Sequence, residues 1–318
     1  MSRLGEFENI PSVRYGASIE NFGLRCDAVV AVRRVLGDGM MGCTNPQRRV
    51  VVLIPVFQDQ AEFDLTVESL ARATVAADII VVDDGSQPPL QAPGHGITLV
   101  RFAGNRGIVA ALNAGLALAL RNGYDYIVRM DAGDLAAPDR ILRQITYLEE
   151  HPECALVGSD AEVRAEGGAW SFTIRPPRDP RLLAIALRER VWLLHSTLTF
   201  RASVFREVGL YSDEFEAAED YEILLRIAKR HKIGVVPDTL VTCTFRQNGI
   251  SGRKAHVQLV SRFRLQMRYF SWRSPRAYYG LLRTFALLFL PASVRLHLKR
   301  HFVYAGAAGG NTSLCPCD

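Results

Sequence analysis

Acidic side chains follow two apolar runs of the sequence at the point where each run ends. The run DIIVV leads into Asp83 and Asp84, and the run YIVRM leads into Asp131 and Asp134. A carboxylate in such a place is costly to desolvate unless a cation or hydrogen-bond donors meet it. Each pair alone is also compatible with capping of the following turn, because Asp and Gly are good turn formers. Occurring together, the pairs favour a common ligand-binding site.

A third acidic pair stands before an amphipathic segment. In EAAEDYEILLRIAKR, the residues Ile223, Leu224 and Ile227 fall on one face of a predicted helix. This places Glu219 and Asp220 in or just before its first turn. Carboxylates there are favoured by the helix dipole for local reasons. The position alone therefore favours a local role over a catalytic one.

The segment NRGIVAALNAG lies between the first two acidic pairs. Asn105 and Gly107 open a predicted helix, whose free N–H groups and positive dipole end suit an anionic diphosphate. Asn113 is a polar residue on a helix of small residues. The alternative for Asn113 is a tight helix–sheet contact in which its amide bonds a loop.

These residues need a sheet that brings the ends of several strands together. Apolar, β-branched runs predict buried strands, and apolar residues at helical spacing predict helices between them. Strands are predicted at 50–57, 78–82, 97–102 and 126–130, with shorter ones at 155–157, 198–200 and 234–236, and helices near 63–70, over 107–121 and from about 138. The alternation indicates an α/β fold with a mostly parallel central sheet flanked by helices. In such sheets ligands bind at the carboxyl ends of the strands.

Composition fits a folded chain and excludes several classes of protein. The 318 residues are 48% hydrophobic and 22% charged, which argues against disorder. The net charge of +5 suits anionic ligands or an anionic membrane surface, but it is too small for a typical nucleic-acid-binding protein. The six cysteines lack C-x-x-C spacing with histidines, so neither a zinc site nor a disulfide scaffold is expected.

The chain shows no signal peptide and no apolar run of the roughly 18 residues that a membrane span needs. We therefore expect a cytoplasmic protein. We divide it into an N-terminal extension at 1–47, a catalytic domain at 48–253, a C-terminal helical region at 254–302 and a disordered tail at 303–318. Translation from Met40 or Met41 would remove most of the extension, and a loosely packed arm is the alternative.

The helical region is rich in arginine and aromatic residues and contains LLRTFALLFLPASVRLHLKR. Its apolar core is short and interrupted by Pro291, so we do not expect it to span a bilayer. Two roles stay open: a peripheral helix in the interface at the inner face of a membrane, and a helix packed on the catalytic domain. The basic, apolar character also suggests a lipid-linked acceptor.

Taken in order, the motifs resemble the family 2 glycosyltransferases, which have the GT-A fold. The matching stretches are PVFQ, VVDDGS, NRGIVAALNAG, RMDAGD, HSTLTFRASVFREVGLY and AEDYEILLRIAK, which together cover about residues 48–253. Each motif alone is weak, whereas the ordered set is specific. The resemblance is to members that make bacterial exopolysaccharides and O-antigens. It implies transfer of a sugar from a nucleotide-diphosphate donor, with uridine as the expected base, to a hydroxyl of a saccharide or lipid-linked saccharide.

The resemblance also implies a role for each matching residue. Donor binding is implied for Pro55, Phe57, Asp83, Asp84, Asn105, Arg106, Gly107, Asn113 and Arg129. A divalent metal, Mg²⁺ or Mn²⁺, would be held at Asp131 and Asp134, and Asp220 would be the general base with Glu219 beside it. His195 and Arg246 would line the acceptor or diphosphate side. One base and direct displacement imply inversion at the anomeric carbon.

One position departs from the family pattern. Where the family usually has D-x-D, the residue two after Asp131 is Gly133, and the second carboxylate follows at Asp134. In an extended segment, side chains three apart point to opposite sides. Asp134 can therefore join Asp131 only if Ala132 and Gly133 form a turn, which glycine permits. The Q-x-x-R-W motif of processive members is absent, which favours transfer of a single sugar.

Other functions compete with this interpretation. A nucleotidyltransferase would need a glycine-rich, basic loop after the first strand, where this chain has FQDQAEF. A Rossmann oxidoreductase would need G-x-G-x-x-G at the same turn. The remaining alternative is a degenerate protein of the same fold that binds a nucleotide sugar without turning it over, and it is prompted by Gly133.

Overall fold

The structure is a computed structural model that describes residues 48–92, 94, 96–246, 255–290 and 294, together with the backbone of 29–34. The predictions made for the rest of the N-terminal extension, including a start at Met40 or Met41, lie outside the described residues. So do the predicted disordered tail and nearly all of the helical region beyond Leu290.

The described residues form a ten-stranded sheet and the helices that flank it. The strands are β1 Val29–Arg34, β2 Val50–Val56, β3 Asp78–Asp83, β4 Ile97–Phe102, β5 Tyr126–Arg129, β6 Leu135–Ala136, β7 Cys154–Ala165, β8 Ser171–Ile174, β9 Thr199–Arg201 and β10 Lys232–Phe245. The α-helices are α1 Gln60–Ala71, α2 Ile108–Arg121, α3 Arg140–Glu150, α4 Pro180–Ala186, α5 Val204–Val208, α6 Glu219–Ala228, α7 Ala255–Arg268 and α8 Pro275–Phe289.

Four parallel strands form the centre of the sheet in the order β4, β3, β2 and β5. Antiparallel β1 extends it beyond β4, and antiparallel β9 follows β5. Next come β7, β10 and β6, with β8 paired to β7. The predicted α/β fold with a mostly parallel central sheet is confirmed, and the carboxyl ends of β2, β3 and β5 share one edge.

Helices cover both faces of the sheet because the central strands are apolar on both sides. In β2, Val51 and Leu53 face a core shared with α2 and α6, whereas Val52 and Ile54 face a second core shared with α1 and α3. Burying one such side chain contributes about 1.5–3 kcal/mol. The two cores fix the strand ends from which the loops of the site begin.

The strands and helices predicted over residues 48–253 are present, and most of their ends differ by a few residues. The strands expected at 155–157 and 234–236 are much longer, since β7 has 12 residues and β10 has 14. The helix expected from about 138 begins at Arg140, because Asp139 takes the N-cap position. The strands β1, β6 and β8 and the short helices α4 and α5 were not predicted from the sequence. The strands β6 and β8 have two and four residues, too few for a period to be recognised.

The helices α7 and α8 pack on the segment that follows α4. Arg262 Nη2 and Gln266 Nε2 donate to the main-chain oxygen of Glu189 at 2.9 Å and 2.7 Å. At Gly280 the backbones of α8 and this segment touch, since a Cβ there would lie 2.6 Å from Glu189 Cα. One face of α8 is thus packed on the protein. Within the described ranges, no helix is long and apolar enough to cross a membrane.

Candidate active site

Asp83 ends β3 and is fully buried. Its carboxylate accepts hydrogen bonds from Ser86 N at 2.8 Å and Leu90 N at 3.2 Å, and the Arg101 guanidinium lies 3.3 Å away. The Ser86 hydroxyl accepts from Gln58 N at 2.8 Å, which ties the loop after β2 to the loop after β3. Asp83 therefore holds two loops together and exposes no surface to a ligand.

Asp84 reaches across to the beginning of α2. Its two oxygens accept from Arg106 N at 2.7 Å and Gly107 N at 2.9 Å. Burial raises the pKa of Asp84 above its ordinary value, although these two bonds oppose the rise. Gly85, at φ +80°, lets the loops touch, since a Cβ there would lie 2.8 Å from Asn105 N. The two bonds hold the residues that precede α2, which begins at Ile108, so the carboxylate does not itself meet the N–H groups of the first helical turn.

A tight turn brings Asp131 and Asp134 together. Asp134 N donates to Asp131 O at 3.3 Å, and Gly133 has a φ of +90°, which residues with a side chain rarely adopt. The buried Thr66 of α1 holds the turn. Its hydroxyl donates to Asp134 O at 2.9 Å and accepts from Gly133 N at 2.9 Å. The turn that Gly133 was expected to permit is present.

Asp131 lies half-exposed above a buried cation. The Arg129 guanidinium pairs with Oδ1, and the Ser196 hydroxyl donates to Oδ2 at 2.8 Å. Partial burial favours the neutral acid, but the charge of Arg129 and the bond from Ser196 outweigh it and lower the pKa of Asp131. Asp131 therefore carries a negative charge at neutral pH.

Asp134 is buried beside Asp131, and its burial together with that negative charge raises its pKa to about 6. The Ser196 hydroxyl and the Cys243 thiol also bond it. Two carboxylates forced together suit a hard divalent cation with oxygen ligands. No group of three metal-ligating side chains occurs in the described part of the chain. The residues thus fit Mg²⁺ or Mn²⁺ if substrate or water completes the ligand set.

The third acidic pair stands at the start of α6, as predicted. Burial and the charge of Asp220 raise the pKa of Glu219 to about 7, and Glu219 Oε2 has no hydrogen-bond partner among the described residues. Burial also raises the pKa of Asp220; the bond from Tyr221 N opposes this and the charge of Asp131 adds to it. The charge of Asp131 acts on both residues, so the third acidic pair lies within electrostatic reach of Asp131.

The backbone before this pair is strained. Ala217 has a φ of +56°, and the N-cap residue Ala218 offers no side-chain hydrogen bond to the helix. A left-handed conformation is costly for an alanine, of order 1–2 kcal/mol. Local strain and poorly satisfied carboxylates occur together here, which is typical of a functional site.

His195 directly precedes Ser196, the residue that bonds Asp131, and the hydroxyl of Tyr211 holds its ring. His195 Nε2 is 2.7 Å from Tyr211 Oη, and burial lowers the pKa of His195 to about 3, so the imidazole is neutral at pH 7. The Asn113 side chain exchanges two 2.9 Å hydrogen bonds with the backbone of Tyr211. Asn113 thus bonds a loop, the alternative raised for it, and it fixes Tyr211 against His195.

Arg246 directly follows β10 and lies among three carboxylates. It pairs with Glu62, and it lies 3.2 Å from Asp59 and 3.5 Å from Glu166. Both members of the Glu62–Arg246 pair adjoin Gly133, since a Cβ on Gly133 would overlap the Glu62 carboxylate and lie 3.4 Å from Arg246 Nη2. An ion pair therefore fills the space that a side chain at position 133 would need.

The remaining residues expected to bind the donor differ in exposure. Phe57, Asn105 and Arg106 are exposed at the carboxyl edge of the sheet. Pro55 is buried within β2 and Arg129 is buried beneath Asp131. The three exposed side chains can contact a ligand without rearrangement. Pro55 and Arg129 are covered by neighbouring residues and expose no surface for such a contact.

Sequence analysis missed three residues that build the site: Thr66, Ser196 and Tyr211. Thr66 gives no signal, because a threonine in an amphipathic helix looks like an ordinary packing residue. Ser196 and Tyr211 both belong to the stretch HSTLTFRASVFREVGLY, so their proximity to His195 in the chain was the available signal.

Comparison with known proteins agrees with this architecture. The model of glycosyl transferase family 2 matches residues 51–209, half of the chain. The chain is 30% identical over 201 residues to the amylovoran biosynthesis glycosyltransferase AmsE of Erwinia amylovora, which covers 60% of this chain and 74% of AmsE. The chain therefore belongs to glycosyl transferase family 2. The match to the family ends before α6, which carries Glu219 and Asp220.

Two solved structures share the fold. TarS 1–349 of S. aureus, in complex with UDP-GlcNAc, has a TM-score of 0.56 at 15% identity over 80% of this chain and 73% of its own. The mannosyltransferase PcManGT from Pyrobaculum calidifontis, in complex with GDP-Man and Mn²⁺, has a TM-score of 0.50 at 19% identity over 84% and 77%. The fold is GT-A, and the protein is a glycosyltransferase.

Proposed function

We propose that this enzyme moves one sugar from a uridine-diphosphate sugar to a hydroxyl of a saccharide or lipid-linked saccharide, with inversion, in the synthesis of a surface polysaccharide. The proposal is carried by the turn that brings Asp131 and Asp134 together, with Glu219 and Asp220 near enough at the start of α6 to feel the charge of Asp131. The amylovoran role of AmsE supports the product class, and the UDP-GlcNAc bound to TarS supports the donor class.

Asp220 is the proposed general base. Its raised pKa makes the carboxylate a stronger proton acceptor than an exposed aspartate. Asp220 takes the proton of the acceptor hydroxyl while that oxygen attacks the anomeric carbon. The bond from this carbon to the diphosphate breaks, and the nucleoside diphosphate leaves. A positioned base contributes roughly 10²–10⁴-fold to the rate. One displacement inverts the anomeric carbon.

Asp131 and Asp134 are the proposed metal ligands. A bound Mg²⁺ or Mn²⁺ would supply positive charge for the diphosphate as it leaves. Thr66 fixes the turn between the two carboxylates, and Ser196 orients both of them. The Mn²⁺ in the PcManGT complex supports a divalent cation.

The two sides of the site have different proposed ligands. Phe57, exposed after β2, contacts the nucleoside part of the donor, and the exposed Asn105 and Arg106 lie near its sugar or diphosphate. The neutral His195 and the Arg246 guanidinium line the acceptor or diphosphate side. We place the catalytic domain at 48–253 and the enzyme at the inner face of the membrane, where a lipid-linked acceptor would be present.

One observation favours a second candidate, a protein of the same fold that binds nucleotide sugars without turnover. Gly133 stands where a further carboxylate was expected, and the Glu62–Arg246 pair fills its space. Against this candidate, Asp131, Asp134, Glu219 and Asp220 all remain, and the charge of Asp131 acts on the other three.

A turnover assay separates the two candidates. Nucleotide sugars with uridine, guanosine and thymidine bases are supplied with Mn²⁺ or Mg²⁺, and release of the nucleoside diphosphate is measured with and without EDTA. We expect turnover with one donor, its loss in EDTA, and its loss in Asp220→Asn. Binding without release in every arm would establish the non-catalytic candidate, and a rate unchanged by EDTA would remove the metal role of Asp131.

A further inference from the structure

The helix α8 has two faces of opposite environment. Ala277, Gly280 and Thr284 are buried and lie on one side, against the segment around Glu189. At about 100° per residue, Leu282 and Phe289 fall on the opposite side. They keep 67% and 73% of their accessible surface. The packed face explains how α8 is held, whereas Leu282 and Phe289 on the other face stay largely exposed among the residues that the structure describes.

The outer face of α8, defined as Tyr279, Leu282, Phe285 and Phe289, forms a continuous exposed apolar stripe. At the start of the helix stands Trp272, which keeps 81% of its accessible surface although its ring contacts Phe270. A contiguous apolar stripe is unusual on a surface, because single exposed apolar residues are common but clusters mark binding sites. Tryptophan and tyrosine beside such a stripe suit a membrane–water interface.

The segment that contains α7 and α8 has basic residues and no acidic ones. Residues 255–290 contain six arginines and neither aspartate nor glutamate. Arg276 and Arg283 fall at the border between the two faces of α8, where a guanidinium reaches the head groups while its stem lies along apolar surface. Arg283 also lies 3.6 Å from Glu189, which fixes its side of the helix.

We propose that the outer face of α8 docks on the surface of an anionic lipid bilayer, with Trp272 at the interface and the arginines on acidic head groups. An amphipathic helix with a basic border binds a bilayer through apolar burial and attraction to anionic lipids. Docking there would bring the enzyme to a lipid-linked acceptor, and in this respect the docking proposal rests on the proposed function. A second copy of the chain fits this face less well, because Arg276 at its border would place a positive charge at the edge of the contact in each copy.

The outer face of α8 lies near the segment of chain that precedes Glu219 and Asp220. The Phe285 ring lies 5.9 Å from the ring of Phe263, and Phe263 lines an open cavity of about 280 Å³ together with Phe215. Phe215 precedes Glu219 by four residues. A bilayer on α8 would therefore lie near the segment that leads to Glu219 and Asp220.

The test is flotation of the full chain with vesicles of stated composition. Vesicles of phosphatidylcholine with about one third phosphatidylglycerol are compared with pure phosphatidylcholine, at low and high salt. The test variant carries Leu282→Ser and Phe289→Ser. The matched control carries Leu65→Ser and Leu142→Ser, which remove two exposed apolar side chains from α1 and α3. Thermal melting of each variant shows that it is folded.

We expect the wild type and the control to float with anionic vesicles, and the partition coefficient of the test variant to fall about tenfold or more. Equal flotation of wild type and test variant would overturn the proposal, as would equal binding to neutral vesicles. Vesicle-independent dimerisation that the test variant abolishes would assign the face to a second copy instead. Flotation needs no sugar donor, so failure here leaves the transferase proposal standing, and an inactive enzyme leaves the docking result standing.

Discussion

The pair Asp83 and Asp84 and the pair Glu219 and Asp220 stand at the same edge of the sheet, yet their carboxylates are satisfied in opposite ways. Main-chain N–H groups meet all four oxygens of the first pair, and Arg101 adds a charge. In the second pair, Tyr221 N donates to Asp220, and Oε2 of Glu219 has no hydrogen-bond partner within the described part of the chain. The first pair stabilises the fold, whereas the second pair keeps carboxylate oxygens that can accept a proton or a hydrogen bond from a substrate.

The contrast predicts opposite effects on stability, and the largest is at Asp83. In Asp83→Asn a buried carboxylate that pairs with Arg101 becomes an amide, whose N–H groups face other donors. Breaking such a pair leaves uncompensated groups, so we expect a loss of about 3 kcal/mol in the free energy of unfolding. Urea denaturation measures it. Asp139→Asn is the matched control, because that aspartate pairs with Arg143 in solvent and should cost under about 1 kcal/mol. Equal losses would mean that the anchoring role of Asp83 is wrong.

Glu219→Gln should instead stabilise the protein at neutral pH. The pKa of Glu219 is raised to about 7, so the folded state binds more protons than the unfolded chain between about pH 4.5 and 7. Stability is therefore lost as the pH rises through this window, and the neutral glutamine removes that loss. We expect Glu219→Gln to exceed wild type by roughly 1–3 kcal/mol at pH 8, with a smaller difference at pH 5. An equal difference at both pH values would contradict the account.

Thr66→Val should have the smallest effect on stability of the three substitutions, but it should lower the affinity for the metal ion. The substitution keeps the shape but removes the hydroxyl that bonds Gly133 N and Asp134 O, at a cost of about 1–2 kcal/mol. Because the turn then loosens, we expect Mn²⁺ affinity, measured by titration of the protein, to fall several-fold. Thr199→Val removes a buried hydroxyl that bonds Gln144, outside the turn, and should leave this affinity unchanged. If both variants bind Mn²⁺ equally, Thr66 has no positioning role.

The sequence predicts the frame of the site well. Runs such as VVVLIPV can be buried on both faces only as strands between helices, so the sheet edge and the acidic groups on it follow from local patterns. The start of α6 at Glu219 also follows from local spacing. The turn at Gly133 was foreseen because only a glycine permits it without strain.

The sequence does not predict which carboxylates are satisfied. Asp84 meets its partners more than 20 residues later in the chain, Thr66 meets Gly133 67 residues away, and Ser196 meets Asp131 65 residues away. Such contacts depend on how helices and loops meet in space, which local patterns do not encode. The roles implied for Asp83, Asp84 and Asn113 are affected most, because their polar atoms bond the protein.

The most direct test of the central claim compares Asp220→Asn with wild type in two measurements on the same preparations. Calorimetry gives the affinity for UDP with Mn²⁺, and release of nucleoside diphosphate from the active donor sugar gives the turnover rate. The account predicts affinities within about twofold of each other and a rate that falls by roughly 10²–10⁴. A variant that keeps its rate within tenfold of wild type, or that loses UDP binding together with its rate, would contradict the assignment of Asp220 as the base.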